Sequence, residues 1–402
     1  MRYIRIPVSL LLISGLASMA WAQRPFVGKH VIPDQLFRNP IQMRVGSLAT
    51  ETLGGEPAVN TNIKFWDLGT LGGSGSWASD VNDFGIAGGS SNPLGNTEFA
   101  HPAAVPVFGP HAMQWVDLGT FGGEGYPAQV EGVSDTGLLV GEAVTDTGNI
   151  HAFVWTPMTG KVDLGTLPGH TDSQAWDVNR IGTLIVGYSQ DSSYNSFPVV
   201  WTPSIQWTQR GLSIQWRIHQ LDTGALGTTG MTMAVNNVGQ IVGEAWGDLG
   251  QVLVVWNPSG RNWTPKQIAG SAAYPNGWIA ELNDLGEVVG GYCDANWACG
   301  AALWRPTGPQ KAYKLVPLAN PWGLLSGDGA IGINNRGDIV GNVNGDRSYG
   351  AHWTRKNPAS VDLLPPADAT WSYAANVNES GIAAGGYGEA DFGGHAIACQ
   401  LH

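Results

Sequence analysis

Val81-Asn82-Asp83-Phe84-Gly85 is the stretch that decides the fold: an apolar residue, Asn, two variable residues, then Gly. The pattern recurs at Val133-Ser134 to Gly137, Val178-Asn179 to Gly182, Val235-Asn236 to Gly239, Leu282-Asn283 to Gly286, Ile333-Asn334 to Gly337 and Val377-Asn378 to Gly381. These seven copies stand 44 to 57 residues apart. Asn suits the start of a tight turn, because its short side chain reaches backbone amides two residues on. Gly suits the end, where the backbone needs positive φ.

Four strand-like runs surround each turn. In the second copy they are 130–133, 138–143, 151–155 and 161–167. Runs this short between Gly-rich turns do not make helices. Four short strands on such a period are the signature of a propeller blade. The expected fold is therefore all-β: a seven-bladed β-propeller of four-stranded blades over residues 63–402, closed by an N-terminal outer strand. That strand, 65–71, should complete the last blade beside residues 395–399, because the chain ends on a third strand with no successor. One extra residue between Gly182 and Gly187 reads as a bulge.

Composition points the same way. The 402 residues include 57 Gly and 24 Pro, yet 43% are hydrophobic and 18 are Trp, an apolar content that a disordered chain lacks. Charged residues are only 13%, which argues against long solvated helices. A net charge of −12 disfavours nucleic acid and other polyanions as partners.

Residues 1–22 read as a signal peptide, with Arg2 and Arg5, a short apolar core and Ala20-Trp21-Ala22 before Gln23. Residues 23–62 read as an extended N-terminal arm. No later apolar run is long enough to span a bilayer, so the expectation is a secreted, monomeric protein. Cys293 and Cys299 bracket a short loop and fit a disulfide in an oxidising compartment, while Cys399 is left over as a buried thiol. No metal site is expected, and the nucleotide-binding Gly motif, the Gly-x-Ser-x-Gly elbow and the zincin motif are missing, so no cofactor is implied.

His111-Ala112-Met113-Gln114-Trp115, His151-Ala152-Phe153-Val154-Trp155 and Asp67-Leu68-Gly69-Thr70-Leu71-Gly72-Gly73 resemble the bacterial extracellular HAF repeats, named for His-Ala-Phe. The resemblance runs over 64–402 and implies an exported β-propeller-like protein. It implies no catalytic residue. The His is missing from the third to sixth copies, where Phe197, Val252, Gly300 and Tyr349 stand.

Residues that recur in nearly every copy belong to packing. Trp115, Trp155, Trp201, Trp256, Trp304 and Trp353 fill one third-strand slot, with Cys399 in the seventh. Asp67, Asp117, Asp163 and Asp362 read as turn caps. Departures from the repeat carry the function. Trp77, Trp278, Trp371 and Tyr373, with Trp176, Trp246 and Trp297 nearby, are expected to line one mouth of the central channel. Aromatic faces stack on the C–H faces of sugars, so the partner is an extracellular polysaccharide or glycan, neutral rather than polyanionic.

His111, His151 and His395 fall in neighbouring blades of a closed ring. They could share a ligand, or each could bond a nearby turn. Asp177 and Glu281, with Asp80 and Glu131, are the carboxylates that could face each other across a glycosidic bond. Their alternative is to bond backbone amides around the channel. Three functions stay open: a glycan-binding protein, a glycoside hydrolase (less so a polysaccharide lyase, given few Arg and Lys), and a protein-interaction scaffold.

Overall fold

A computed structural model of the chain describes residues 58–95, 99–123, 128–208, 211–248, 250–268, 276–296, 298–308, 312–323, 328–388 and 394–402. The signal peptide, nearly all of the arm and Trp297 lie outside them. Apart from one short 3-10 turn, Gly224–Leu226, the regular elements among the described residues are all strands. They pair antiparallel in sequence order into five four-stranded sheets and one eight-stranded sheet, laid out as propeller-like blades. The eight-stranded sheet is two four-strand groups joined by a single parallel bridge between Ser348 and Trp371.

Each group opens on a strand that ends at a repeat turn: Gly72–Val81, Gln129–Val133, Asp172–Val178, Thr229–Val235, Asn276–Leu282, Gly329–Ile333 and Trp371–Val377. These inner strands pack on one another from sheet to sheet. Every one carries a register shift three residues before the turn Asn or Ser, as between Val130 and Gly132. Lys64–Asp67 pairs antiparallel with Gly394–Gln400, placing Trp66 opposite Ala398 and Asp67 opposite Ile397. Upstream, Val59 bridges to Leu363. Cys293 and Cys299 face each other on adjacent strands and form the expected disulfide.

The repeat turns explain the repeat residues. The turn Gly has φ between +69° and +90° in all seven copies. The Asn side chain takes amides of its own turn, and in five copies its Nδ2 donates to the next turn, while Asn179 Nδ2 donates to Thr183 Oγ1 of its own turn at 3.1 Å. Asn82 reaches Ser134 O, Asn236 reaches Asn283 O, Asn283 reaches Asn334 O, Asn334 reaches Asn378 O, and Asn378 returns to Asn82 O, at 2.8 to 3.2 Å. Ser134 has no amide to give, and there Asp135 N donates to Arg180 O at 2.8 Å instead.

The extra residue of the third copy makes no strand bulge. It lengthens the turn, so that Asn179 N bonds Leu184 O and Asn179 Oδ1 accepts from Thr183 N and Leu184 N.

The third-strand Trp residues wedge between sheets. Trp201, Trp256 and Trp353 are fully buried, and their Nε1 atoms donate to Leu164 O, Asp222 O and Ala319 O, at the end of the preceding sheet. Cys399 lies opposite Ala383 as Trp201 lies opposite Ile185, so it does occupy the Trp slot. The first copy needs a correction. Its third strand is His101–Pro106, and Val105 fills the slot opposite Ala87. Trp115 lies beyond that strand, yet its Nε1 donates to Leu68 O at 2.8 Å and so reaches the same kind of carbonyl from another backbone position.

Candidate functional site

Asp80, Asp177, Glu281 and Asn376 come from four inner strands at one register position, two before the turn Asn. They converge on a central cavity of about 50 Å³ with Arg180, Asp284 and Glu379. Three of the four expected carboxylates are therefore brought together, and their oxygens face backbone amides. Asp80 accepts from Val81 N and Val133 N at 2.8 and 2.7 Å and from the Asn376 amide. Asp177 accepts from Val235 N at 2.8 Å, and Glu281 from Leu282 N at 2.9 Å. Glu131 does not join them. It is the extra residue of its strand's register shift and is buried, accepting from Gln129 Nε2. Burial, and then Glu131, push the neighbouring Glu142 carboxyl well above the usual range.

The cavity is also lined by a residue that sequence reasoning missed. Arg180 Nη1 sits 3.0 Å from Asp83 Oδ1, and Nη2 lies 3.5 Å from Val377 O, so one side chain links the third copy to the first and the seventh. Burial alone would lower its pKa, but Asp83, Asp80, Glu379 and Asp135 raise it and keep the guanidinium charged. The signal was available. The residue after each turn Asn or Ser is Asp83, Asp135, Arg180, Asn237, Asp284, Asn335 or Glu379, so Arg180 is the single cation in an acidic or amide set.

The off-repeat aromatics obey a rule that reading along one strand does not reveal. Trp278 lies opposite Gly291, Tyr373 opposite Gly386, Trp371 opposite Gly388 and Trp77 opposite Ser90. A Cβ on any of those three glycines would collide with the ring facing it. Trp278 also covers Gly329 of the next copy and is only 8% exposed. Tyr373 is 2% exposed and its phenol is pushed far up by burial. Trp176 is 3% exposed and packs edge-on against Tyr188. The expectation that Trp278, Tyr373 and Trp176 face an open mouth is corrected: they are core.

Trp77, Trp371 and Trp246 are half-buried. Trp371 stacks on Tyr373 at 6.2 Å between ring centres and 15° between planes. A Cβ on Gly394 would meet the Trp371 ring, and one on Gly75 would touch both Gly394 O and Trp77 Cη2, so Trp371 lies over Gly394 and Trp77 over Gly75, two glycines that approach each other. A second stack, Trp322 on Tyr349 at 5.3 Å with Arg347 over the Tyr ring, was not foreseen. Trp371 is the first residue of its inner strand, whereas Trp322 lies in a turn ahead of the inner strand Gly329–Ile333.

The histidines do not cluster. His151 Nδ1 bonds Asp163 at 2.7 Å and His395 Nδ1 bonds Asp67 at 2.9 Å. His111 lies in a turn beyond its sheet's third strand, and the residue equivalent to His151 is His101, 2.9 Å from Asp117. Each pair ties a third strand to the fourth beside it. The same Asp residues cap the turns as expected, since Gly69, Gly119 and Gly165 each donate N–H to the Asp two before. Asp222 does likewise toward Gly224. Asp362, placed in this set on sequence, has no such Gly and faces His352 across the strand pair.

A different convergence lies outside every site expected from the sequence. Asp338, His352 and His402 bring three potential ligand atoms within 4.8 Å of one another. Burial alone would raise the Asp338 carboxyl, but His352, Asn334 and His402 hold it down at about 2.

No family model matches the chain, and no curated protein matches it either. Among solved structures, TolB from Acinetobacter baumannii is 10% identical with a TM-score of 0.44, over 70% of this chain and 64% of that one. The Aleuria aurantia lectin, solved with α-methyl-L-fucoside, is 14% identical with a TM-score of 0.39, over 78% of this chain and 98% of its own. A Trypanosoma rangeli sialidase solved with the inhibitor DANA is 12% identical with a TM-score of 0.40, over 67% and 54%. The chain thus spans less than two thirds of the TolB and sialidase chains.

Proposed function

We propose that the protein is an exported, closed seven-bladed propeller that binds neutral glycans at the half-buried indoles of Trp371 and Trp77. Support for the ring comes from the turn-to-turn hydrogen bonds, the last of which returns from Asn378 to Asn82. The pairing of Lys64–Asp67 with Gly394–Gln400 supports it as well.

The observation that carries the binding reading is the pair of half-buried indoles over the adjoining glycines Gly394 and Gly75, one of them stacked on a buried Tyr. Rings fixed in this way lose little freedom when a sugar stacks on them. Among the described residues no helix is long and apolar enough to cross a membrane, and the Cys293–Cys299 bond suits an oxidising compartment. Binding is favoured over hydrolysis because Asp80, Asp177 and Glu281 direct oxygens at backbone amides.

Tryptophan fluorescence titration against neutral and uronate polysaccharides tests this. A neutral polymer should quench saturably, and Trp371→Ala with Trp77→Ala should abolish the quench. Silence across the neutral panel, or an unchanged response in the double variant, would overturn the reading.

A further inference from the structure

Asp338 opens the strand Asp338–Asn344, and His352 lies on its antiparallel neighbour Ser348–Thr354. His402 follows the strand Gly394–Gln400 of the adjoining group. Three chain segments thus meet at one seam. Asp338 Oδ1 lies 2.8 Å from His402 Nε2 and 3.3 Å from His352 Nε2. The two imidazoles meet edge to face with centres 5.8 Å apart. Ligand atoms about 2.1 Å from a tetrahedral ion stand about 3.4 Å from each other, so small side-chain rotations would convert these contacts into coordination.

The surroundings are also those of a metal centre. Asn334 Nδ2 donates to the other carboxylate oxygen, Asp338 Oδ2, at 2.9 Å and fixes its plane. His352 is 4% exposed, and its Nδ1 has no hydrogen-bond partner, although Asp362 Oδ2 stands 3.8 Å away. An orphaned buried imidazole nitrogen costs free energy. A carboxylate facing the second nitrogen of a ligating His is the common outer-sphere arrangement.

We propose that Asp338, His352 and His402 bind one divalent transition ion of the zinc class, which fastens the segment after the strand Gly394–Gln400 to the adjoining four-strand group. Two neutral imidazoles and one carboxylate favour zinc and its neighbours over calcium or magnesium, which select all-oxygen shells. His402 is 48% exposed, so a fourth coordination position faces water.

Untagged, chelator-treated full-length protein is titrated with zinc chloride by calorimetry, with calcium chloride as control. Uptake of one zinc ion per chain and a raised Tm are the expected results. His402→Ala, at an exposed position, should fold normally, weaken zinc binding about tenfold or more and erase the Tm gain. His352→Ala should do the same where it folds; His402→Ala decides where it does not. Absence of stoichiometric uptake, equal affinity in His402→Ala, or an equal response to calcium would each overturn the proposal.

Discussion

The two faces of the molecule are built on different terms. On the face of the repeat turns, one short side chain solves the same problem again and again: Asn satisfies its own turn and donates to the next. On the opposite face, where strand pairs such as Ser348 and Trp371 begin, each copy is individual. There a Trp is accommodated by a Gly across the strand, and isolated carboxyls such as Glu244 are buried. The first face repeats this link at five of its seven turns, with Ser134 and Asn179 the exceptions, which suits it to hold the sheets together. The second has the variety that recognition requires.

The largest expected effect comes from breaking the uniform face. Asn283→Ala removes the link to Asn334 O and strands the amides of Leu285 and Glu287. Urea unfolding should show a loss of about 4 kcal/mol, since each buried backbone group left short of a bond, here Glu287 N and Asn334 O, costs about 1–3 kcal/mol. A loss below about 1 kcal/mol would dissolve the contrast between the faces.

Glu244 sharpens it from the other side. Its carboxyl is pushed up to about 7 by burial, against bonds from Gln251 and Ile279 N. A folded pKa above the unfolded 4.5 means that the group costs nothing below about pH 4.5 and destabilises progressively up to pH 7. Glu244→Gln should therefore stabilise the protein by as much as about 3 kcal/mol at pH 8 and leave it unchanged at pH 4. Equal effects at both pH values would refute the burial account.

Smaller still is the expected loss in glycan affinity. Trp371→Ala should weaken binding about tenfold, or about 1.4 kcal/mol, whereas Trp322→Ala should change it by less than about twofold. The reverse order in a fluorescence titration would move the binding surface to the Trp322–Tyr349 stack.

The smallest effect belongs to His151 and Asp163. Hydrogen bonding to Asp163 raises the His, and although burial would raise the Asp, His151 holds it low. The His contribution is complete below pH 6.5 and is lost as pH rises through its raised value. The Asp contribution is complete above pH 3.8 and is lost as pH falls through its lowered value. His151→Gln should thus cost most between about pH 4 and 6.5, and under about 1 kcal/mol because both groups are partly exposed. A flat difference from pH 4 to 9 would remove the ion pair from the account.

What could be read from the chain follows the same division. The turn Asn, the turn Gly and the Asp caps were legible because each acts within a few residues of itself. The third strand of the first copy was misassigned because His101-Pro102-Ala103-Ala104-Val105-Pro106 carries two prolines, and His111 to Trp115 imitates the motif just beyond it. The aromatics were misjudged because their glycine partners lie on another strand, and only the register reveals the match. Arg180 stands out only when the seven turns are set side by side, and His402 meets Asp338 and His352 across the boundary between two adjoining groups, which no spacing along the chain announces.

A ribosome makes Lys64 long before it makes Gln400. Throughout that interval the first strand has no edge to join, and Trp66 waits for Ala398. That sheet is therefore complete only once residues 397–400 are made, and a chain lacking them would leave two raw sheet edges exposed to proteases and to other chains.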